Sequence, residues 1–177
     1  MKRDKIIIGT RNSKLAEIYA ERAKKLLSSF FNNKIEISKI QTSGDIKKDS
    51  RLDEYGGKGI FIKEIETDLI NKKIDLAVHS LKDMPTVENE LLITNCFLKR
   101  NDPKEILISK NGKRLEELDP KSIIGTSSFR REYQIKQKRK DLNFKIIRGN
   151  IETRIKKLRN EDYDAIILAK AGLMCLD

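Results

Sequence analysis

The sequence predicts an α/β fold with mainly parallel sheets, because short apolar runs alternate with segments of helical periodicity along the whole chain. The apolar runs at residues 6–8 and 165–168 have the length of strands and are rich in isoleucine. The chain has 177 residues, of which 38% are hydrophobic, so it can bury a substantial core. This length accommodates one domain or two small ones.

The first hundred residues predict strands and helices in alternation. Leu15, Tyr19, Ala23 and Leu26 recur at helical spacing after the first strand. A long polar segment at 41–59 is rich in glycine and is expected to be a mobile loop. The predicted elements are a strand at 5–8, a helix at 15–26, a strand at 35–40, that loop, a helix at 61–69, a strand at 74–78, a polar turn at 79–85 and a strand at 91–97.

A second unit is expected from residue 100, because the charged run at 100–103 ends in a proline that disfavours helix in the residue before it. We therefore predict one domain over residues 1–99, lacking any returning strand, and a second over residues 100–177. The sequence stops just after an apolar strand, so the second domain is expected to be truncated. Its predicted elements are strands at 106–109, 122–125, 145–147 and 165–168, and helices at 115–118, 129–138 and 151–159.

Composition argues against several classes of protein. No run approaches the roughly 18 apolar residues that a membrane span needs, and no secretory signal is recognisable, which predicts a cytoplasmic protein without a membrane partner. Cys96 and Cys175 lie far apart and His79 is the only histidine, so neither a disulfide framework nor a zinc site is expected, and both thiols are predicted to be buried and inert.

The net charge of +11 comes from 38 Lys and Arg against 27 Asp and Glu. Nucleic-acid binding through this charge would give an affinity with a steep salt dependence. However, lysine is spread along the whole chain, tryptophan is absent and aromatic residues make up only 6%. A nucleic acid is therefore not the expected partner.

Three strand ends combine hydroxyl or amide side chains with arginine, at residues 9–13, 125–131 and 148–154. Ligands of open α/β sheets bind beyond the carboxyl ends of strands, where helix amino termini favour anions. Arginine offers a bidentate fork to carboxylate or phosphate. At any one site, ordinary helix caps at Ser13, Thr126, Ser127 and Asn150, with solvated arginines, are the favoured explanation. Three such sites at one edge favour a ligand with several anionic groups.

The turn after the strand at 74–78 places Lys82 beside Asp83. A carboxylate in a partly dry site can stabilise a cation and transfer protons. Ser80 and Asp83 also have the spacing of a capping box, which would make Asp83 structural, and both interpretations stay open. His79 is expected to be a core or hydrogen-bonded histidine. The glycines around Lys58 lack the spacing of a phosphate-binding loop and instead predict a flexible lid.

These motifs together resemble the porphobilinogen deaminase (hydroxymethylbilane synthase) family of tetrapyrrole and heme biosynthesis. The resemblance is collinear from residue 5 to the end of the chain. It is carried by IGTRNSKLA, TSGD, GGKGIF, DLAVHSLKDMP, NDPKE, IIGTSSFRR, IRGNIETR and YDAIILAKAGL. The combination of DLAVHSLKDMP, IIGTSSFRR and IRGNIETR is highly specific.

The resemblance implies a transferase that joins four porphobilinogen molecules head to tail, releasing ammonia, on a dipyrromethane cofactor. It implies two periplasmic-binding-protein-like domains with the active site between them, and a monomer at full length. Asp83 would stabilise the cationic pyrrole species, while Lys58 and Phe61 would belong to the lid. The residues that would hold carboxylates of the cofactor and substrate are Arg11, Ser13, Lys82, Thr126, Ser127, Ser128, Arg130, Arg131, Arg148 and Arg154.

Two departures from the family pattern bear on activity. The family attaches its cofactor to a cysteine of a third domain, which this sequence does not contain. Cys175 stands where the family usually has a substrate-binding arginine, and Lys170 is the candidate replacement. We therefore expect the 177-residue chain to be inactive by itself. The alternative is a non-catalytic module that binds a small polyanion.

Overall fold

The computed structural model describes residues 4–46 and 57–176. The chain divides into two compact units, Met1–Lys99 and Arg100–Asp177. Each unit contains a β-sheet with helices packed on it, which confirms the predicted α/β class. Within the described residues, no helix is long and apolar enough to cross a bilayer.

The sheet of the first unit has three parallel strands in the order β2-β1-β3. They are β1 (Lys5–Arg11), β2 (Lys34–Ile40) and β3 (Leu76–Ala77). Ile8 of the central strand is fully buried and pairs with residues of both neighbours. Because β1 is flanked on both sides, its carboxyl end lies in the middle of the sheet edge where ligands of α/β folds bind.

Helices follow the strands of this unit. They are α1 (Lys14–Leu27), α2 (Ser43–Ile46) and α3 (Lys63–Ile70), with short 3₁₀ helices at Gly57–Phe61 and Leu81–Asp83. The small side chains of Ala20 and Ala23 are buried and let α1 lie close to the sheet. Ile65 of α3 is also fully buried. These contacts fix the loops that leave the sheet.

The sheet of the second unit has four strands in the order β4-β7-β5-β6. Its strands are β4 (Glu105–Ser109), β5 (Ile123–Gly125), β6 (Asn143–Lys145) and β7 (Ala165–Ala169). β5 is parallel to both β6 and β7, whereas β4 runs antiparallel to β7. Four of the five strand pairings in the two sheets are therefore parallel, which confirms the prediction of mainly parallel sheets.

Both faces of this second sheet are covered. The helices are α4 (Phe129–Lys136), α5 (Ile151–Asn160) and α6 (Lys170–Leu173), and a 3₁₀ helix spans Leu115–Glu117. Ile135 of α4 packs in one buried cluster with Ile124, while Leu158 of α5 packs in another with Ile166. The near-continuous burial of β7 follows from this arrangement, since an inner strand covered on both faces has no polar face.

The structure corrects four local predictions. Residues 91–97 form no strand, and the apolar side chains of Leu91, Ile93 and Phe97 are 75%, 82% and 64% exposed. The strand predicted at 145–147 is β6, two residues earlier, and that at 74–78 is shortened to β3. Cys96 is exposed rather than buried because it belongs to the same irregular segment, whereas burial of Cys175 is confirmed.

Candidate functional site

Arg11 ends β1 and is the centre of a polar cluster in the first unit. Its guanidinium donates to both carboxylate oxygens of Asp45, through Nη2 and, at 3.4 Å, through Nε. Its Nη1 lies 3.5 Å from Oδ2 of Asp83. The side chain is 21% exposed, so this cation is largely enclosed and is balanced by two carboxylates of its own unit.

The aromatic ring of Phe61 packs on the guanidinium of Arg11. The guanidinium carbon of Arg11 lies 4.2 Å from the centre of the Phe61 ring, a cation–π contact. Gly44 makes this packing possible, because a Cβ there would lie 2.5 Å from the ring carbons of Phe61. The predicted lid residue Phe61 therefore contacts the anion-binding candidate Arg11, while the side chain of Lys58 lies outside the described residues.

Asp45 was not singled out by the sequence, yet it fixes the orientation of Arg11. Burial of the Asp45 carboxyl opposes its ionisation, but hydrogen bonds from Arg11 and Thr42 outweigh that effect and lower its pKa. The Thr42 hydroxyl, fully buried, donates to Asp45 Oδ2 at 2.8 Å. The spacing Thr-x-x-Asp in the TSGD segment is the sequence signal that could have identified this pair.

Asp83 lies at the end of the 3₁₀ helix Leu81–Asp83, with 27% of its side chain exposed. Ser80 makes no side-chain cap hydrogen bond there, so the capping-box interpretation of Asp83 is wrong. Its backbone N–H donates to the Ser80 carbonyl at 2.8 Å, which leaves the carboxylate facing Arg11. Lys82 beside it is exposed.

His79 comes two residues after β3 and is partly buried. Its Nε2 is enclosed and has no hydrogen-bond partner among the described residues. Burial lowers the pKa of the imidazole, and the positive charge of Arg11 acts in the same direction, against the opposing effect of Asp83. Of the two predicted alternatives, a core or a hydrogen-bonded histidine, the enclosed and unpartnered Nε2 favours the first, and the ring next to Asp83 and Arg11 is neutral near pH 7.

Two of the hydroxyl-bearing candidates cap helices, and the other two form hydrogen bonds within or between loops. Ser13 caps α1 by accepting from Ala16 N–H at 3.4 Å, and Ser128 caps α4 by accepting from Arg131 N–H at 3.5 Å. Thr126 is buried and accepts from Ser128 N–H at 3.2 Å. Ser127 donates to the Ile147 carbonyl at 2.7 Å, which joins the loops that follow β5 and β6.

Arg130 and Arg131, at the start of α4, share one carboxylate. Glu105 Oε1 lies 2.5 Å from Nη2 of Arg130, and Oε2 lies 2.8 Å from Nη2 of Arg131. Arg131 also donates through Nη1 to the Ile167 carbonyl at 2.9 Å. Its Nε is buried and, among the described residues, has no partner. Arg130 is the exposed member of the pair, at 60% against 12%.

Arg148 and Arg154 bring further positive charge to Arg131. Burial lowers the pKa of Arg154 to about 10, and repulsion by Arg131 and Arg148 contributes to this. Burial also lowers the pKa of Arg148. Arg154 Nε donates to the Gly149 carbonyl at 2.8 Å, and neither Arg148 nor Arg154 forms an ion pair with any described residue.

Unit two therefore holds a cluster of arginines, defined here as Arg131, Arg148 and Arg154, with one carboxylate in contact. An uncompensated group of partly buried cations is unfavourable unless an anion neutralises it. Together with the unpartnered Arg131 Nε, this excess fits a ligand that carries several carboxylates, as dipyrromethane does. Lys170, the candidate replacement for the family arginine, is instead paired with Asp102 at 2.6 Å.

Comparisons with known proteins agree with this chemistry. The family model described as "Porphobilinogen deaminase, dipyromethane cofactor binding domain" matches residues 6–177. Porphobilinogen deaminases of Bacillus cereus and Bacillus thuringiensis are 50% identical to the chain over 173 residues, and that of Bacillus mycoides is 49% identical. Each alignment covers 96% of this chain and 55% of the relative. The chain thus spans about half the length of these curated relatives.

Proposed function

The chain belongs to the porphobilinogen deaminase family, and from this premise we propose that it supplies the substrate and cofactor site of a hydroxymethylbilane synthase. The reaction joins four porphobilinogen molecules head to tail with release of ammonia, in tetrapyrrole and heme biosynthesis. The observation that carries the proposal is the charge excess of the arginine cluster. Every pyrrole ring of substrate and product carries an acetate and a propionate, which are the anions that such a cluster needs.

The arginine cluster has the chemistry to bind those carboxylates. Arg148 and Arg154 have no carboxylate partner among the described residues, and Arg131 keeps one buried donor unused. Charge-assisted hydrogen bonds from guanidinium to carboxylate are strongest where water is excluded. We assign a weaker part in carboxylate binding to Arg130 in the second unit and to Arg11 and Lys82 in the first, because each already has a protein partner or is exposed.

The hydroxyl residues act mainly through the backbone. Ser13 and Ser128 hold the first turns of α1 and α4, and Thr126 and Ser127 fix the loop between β5 and α4. Contacts of these hydroxyls with substrate carboxylates would require them to exchange the partners they have.

Asp83 is the proposed catalytic residue. Loss of ammonia from porphobilinogen leaves a cationic species, and a fixed carboxylate nearby lowers the energy of that cation. Arg11 Nη1 lies 3.5 Å from the Asp83 carboxylate, and the 27% exposure of that side chain leaves part of it open to substrate. The neutral ring of His79 beside it adds no positive charge that would oppose the cation.

Dipyrromethane would supply the pyrrole carbon that accepts the first substrate unit. Its carboxylates would be held by the arginine cluster, by the fit argued above. We propose that Lys58 and Phe61 form a lid next to Arg11, since Phe61 already packs on Arg11. For this chain we propose two periplasmic-binding-protein-like domains, the second of them incomplete. For the full-length protein we propose a monomer in the cytoplasm, without nucleic acid or membrane as partner.

The first experiment is the intact mass of the protein expressed at its natural length. It reports the length of the chain and any covalent pyrrole at once. The second is titration with porphobilinogen, with phosphate as the control anion. Specific binding with turnover supports the transferase, whereas binding without turnover supports the non-catalytic polyanion module or a chain that is inactive by itself. No preference for porphobilinogen over phosphate would refute the proposed function.

The role of Asp83 is tested by Asp83→Asn in the same protein. We expect turnover to be nearly abolished, because the neutral amide cannot stabilise a cation, while the urea midpoint stays within experimental error of the parent. Glu88→Gln is the matched control, since Glu88 is an exposed acid in the segment that follows. If Asp83→Asn polymerises porphobilinogen at the parent rate, the assignment is wrong.

A further inference from the structure

We propose that Glu105 is a positioning residue that orients Arg131 for the bound carboxylate. This inference rests on the proposed function for the identity of the ligand. Glu105 is the first residue of β4 and contacts both arginines at the start of α4. It thereby ties the edge strand of the sheet to the helix that carries Arg131.

Two groups on the sheet hold the Arg131 guanidinium from different sides. Glu105 Oε2 lies 2.8 Å from Nη2, and the Ile167 carbonyl accepts from Nη1 at 2.9 Å. β4 and β7 are neighbouring antiparallel strands, so both groups belong to one rigid ladder. A planar guanidinium that is held at both terminal nitrogens has little rotational freedom, because Arg131 is also only 12% exposed.

The donor left over by this arrangement is Nε. It is buried and has no partner among the described residues, and an unpaired buried donor is costly unless something supplies an acceptor. A carboxylate oxygen of the ligand would satisfy it. Glu105 therefore fixes which part of Arg131 is available to the ligand, without contacting the ligand itself.

The single carboxylate of Glu105 contacts two arginines. Its Oε1 lies 2.5 Å from Nη2 of the exposed Arg130, and its Oε2 faces Arg131. Oε1 is thus hydrogen-bonded to Arg130, whereas Oε2 lies at ion-pair distance from Arg131 Nη2 and, like Arg131 Nε, is buried without a hydrogen-bond partner among the described residues. Burial opposes ionisation of the Glu105 carboxyl, but the contacts with the two arginines outweigh burial and lower its pKa, so it stays charged at neutral pH.

A positioning role and a simple counter-ion role predict opposite results. Glu105→Gln keeps the shape of the side chain and removes its charge. If Glu105 only competes with the ligand, the variant binds every anion more tightly. If it positions Arg131, the dissociation constant for porphobilinogen rises about tenfold, as loss of one oriented charge-assisted hydrogen bond predicts, while phosphate binds equally well or better. Glu105→Asp should recover part of the porphobilinogen affinity.

The orientation itself is measured without ligand from the Nε–H resonance of Arg131, assigned by its loss in Arg131→Lys. In the parent this proton should exchange slowly with water, and in Glu105→Gln much faster. Asp119→Asn is the control, because it breaks a comparable ion pair with Lys113 in the same unit. Porphobilinogen binding by Glu105→Gln at parent strength, or an unchanged Nε–H exchange rate, would overturn the proposal. Failure of the parent to bind porphobilinogen would instead overturn the proposed function, and the exchange measurement would still decide the role of Glu105.

Discussion

Replacing Arg154 by methionine should make the protein more stable and less able to bind its ligand. Arg154 lies in the first turn of α5, close enough to Arg131 and Arg148 to be repelled by both. Burial, with that repulsion, lowers the pKa of its guanidinium to about 10. The folded protein therefore holds the charged form of this side chain less favourably than the unfolded chain does.

The size of the effect follows from that pKa. The fall from the ordinary value of arginine to about 10, at 1.36 kcal/mol per unit, corresponds to about 3 kcal/mol of destabilisation at neutral pH. Methionine also loses the 2.8 Å hydrogen bond from Nε to the Gly149 carbonyl, which is worth about 1 kcal/mol. Arg154→Met should therefore raise the free energy of unfolding by about 2 kcal/mol, because methionine has a similar length and a high helix propensity.

Equilibrium urea unfolding at pH 7.5 measures the gain, and titration with porphobilinogen measures the loss, which should be at least about tenfold if one carboxylate contact disappears. Lys156→Met is the matched control on the same helix, since Lys156 is exposed, and it should change stability by less than about 0.5 kcal/mol. A lower urea midpoint for Arg154→Met, or unchanged affinity for porphobilinogen, would contradict this reasoning. Either result would show that the charge of Arg154 does not lower stability while increasing affinity.

Three further variants test the local structure. Gly44→Ala should lower the free energy of unfolding in urea by about 1–3 kcal/mol, because its Cβ would lie 2.5 Å from Phe61. This loss should nearly vanish in a Phe61→Ala background, and equal losses in both backgrounds would contradict the packing. Burial lowers the pKa of His79, so the unfolded state binds the imidazole proton more tightly and stability should fall as the pH drops below about 6.5. His79→Gln should reduce that fall between pH 7 and pH 5, and an unchanged slope would contradict the role of His79. Ser128→Ala removes the cap of α4 and should lower stability by about 1 kcal/mol, which an unchanged urea midpoint would rule out.

The sequence was most informative where one physical signal acts locally. The helix predicted at 15–26 is α1, within one residue at each end, because its apolar spacing and its cap at Ser13 lie within the helix itself. The strand predicted at 91–97 was wrong for the opposite reason. Its apolar residues satisfy β-propensity, but a strand also needs a ladder partner, and propensity contains no information about partners.

The candidate site shows the same division. The arginines could be predicted because each follows a strand, and the α/β fold brings strand ends to one edge. The roles assigned to them stay predictions. Glu105 was missed because a lone carboxylate in a chain with 37% charged residues carries no local signature, whereas Asp45 was missed although the Thr-x-x-Asp spacing was available. Their importance comes from distances to Arg11, Arg130 and Arg131, which only the folded chain defines.

Carboxylates balance the arginine charge in the first unit but only part of it in the second. This difference indicates that the two units have different functions. In the first unit, Arg11 is neutralised by Asp45 and Asp83, so the group left with reactive potential is the Asp83 carboxylate. In the second, Glu105 balances only part of the positive charge of the arginine cluster, so the remaining potential attracts anions. Under the proposed function, the protein binds a polycarboxylate and also stabilises a developing cation, and excess cations beside the proposed catalytic carboxylate would weaken that stabilisation. Charge reversal at Asp45, as in Asp45→Lys, should therefore impair turnover more than the binding of carboxylates, whereas Arg148→Glu should do the reverse.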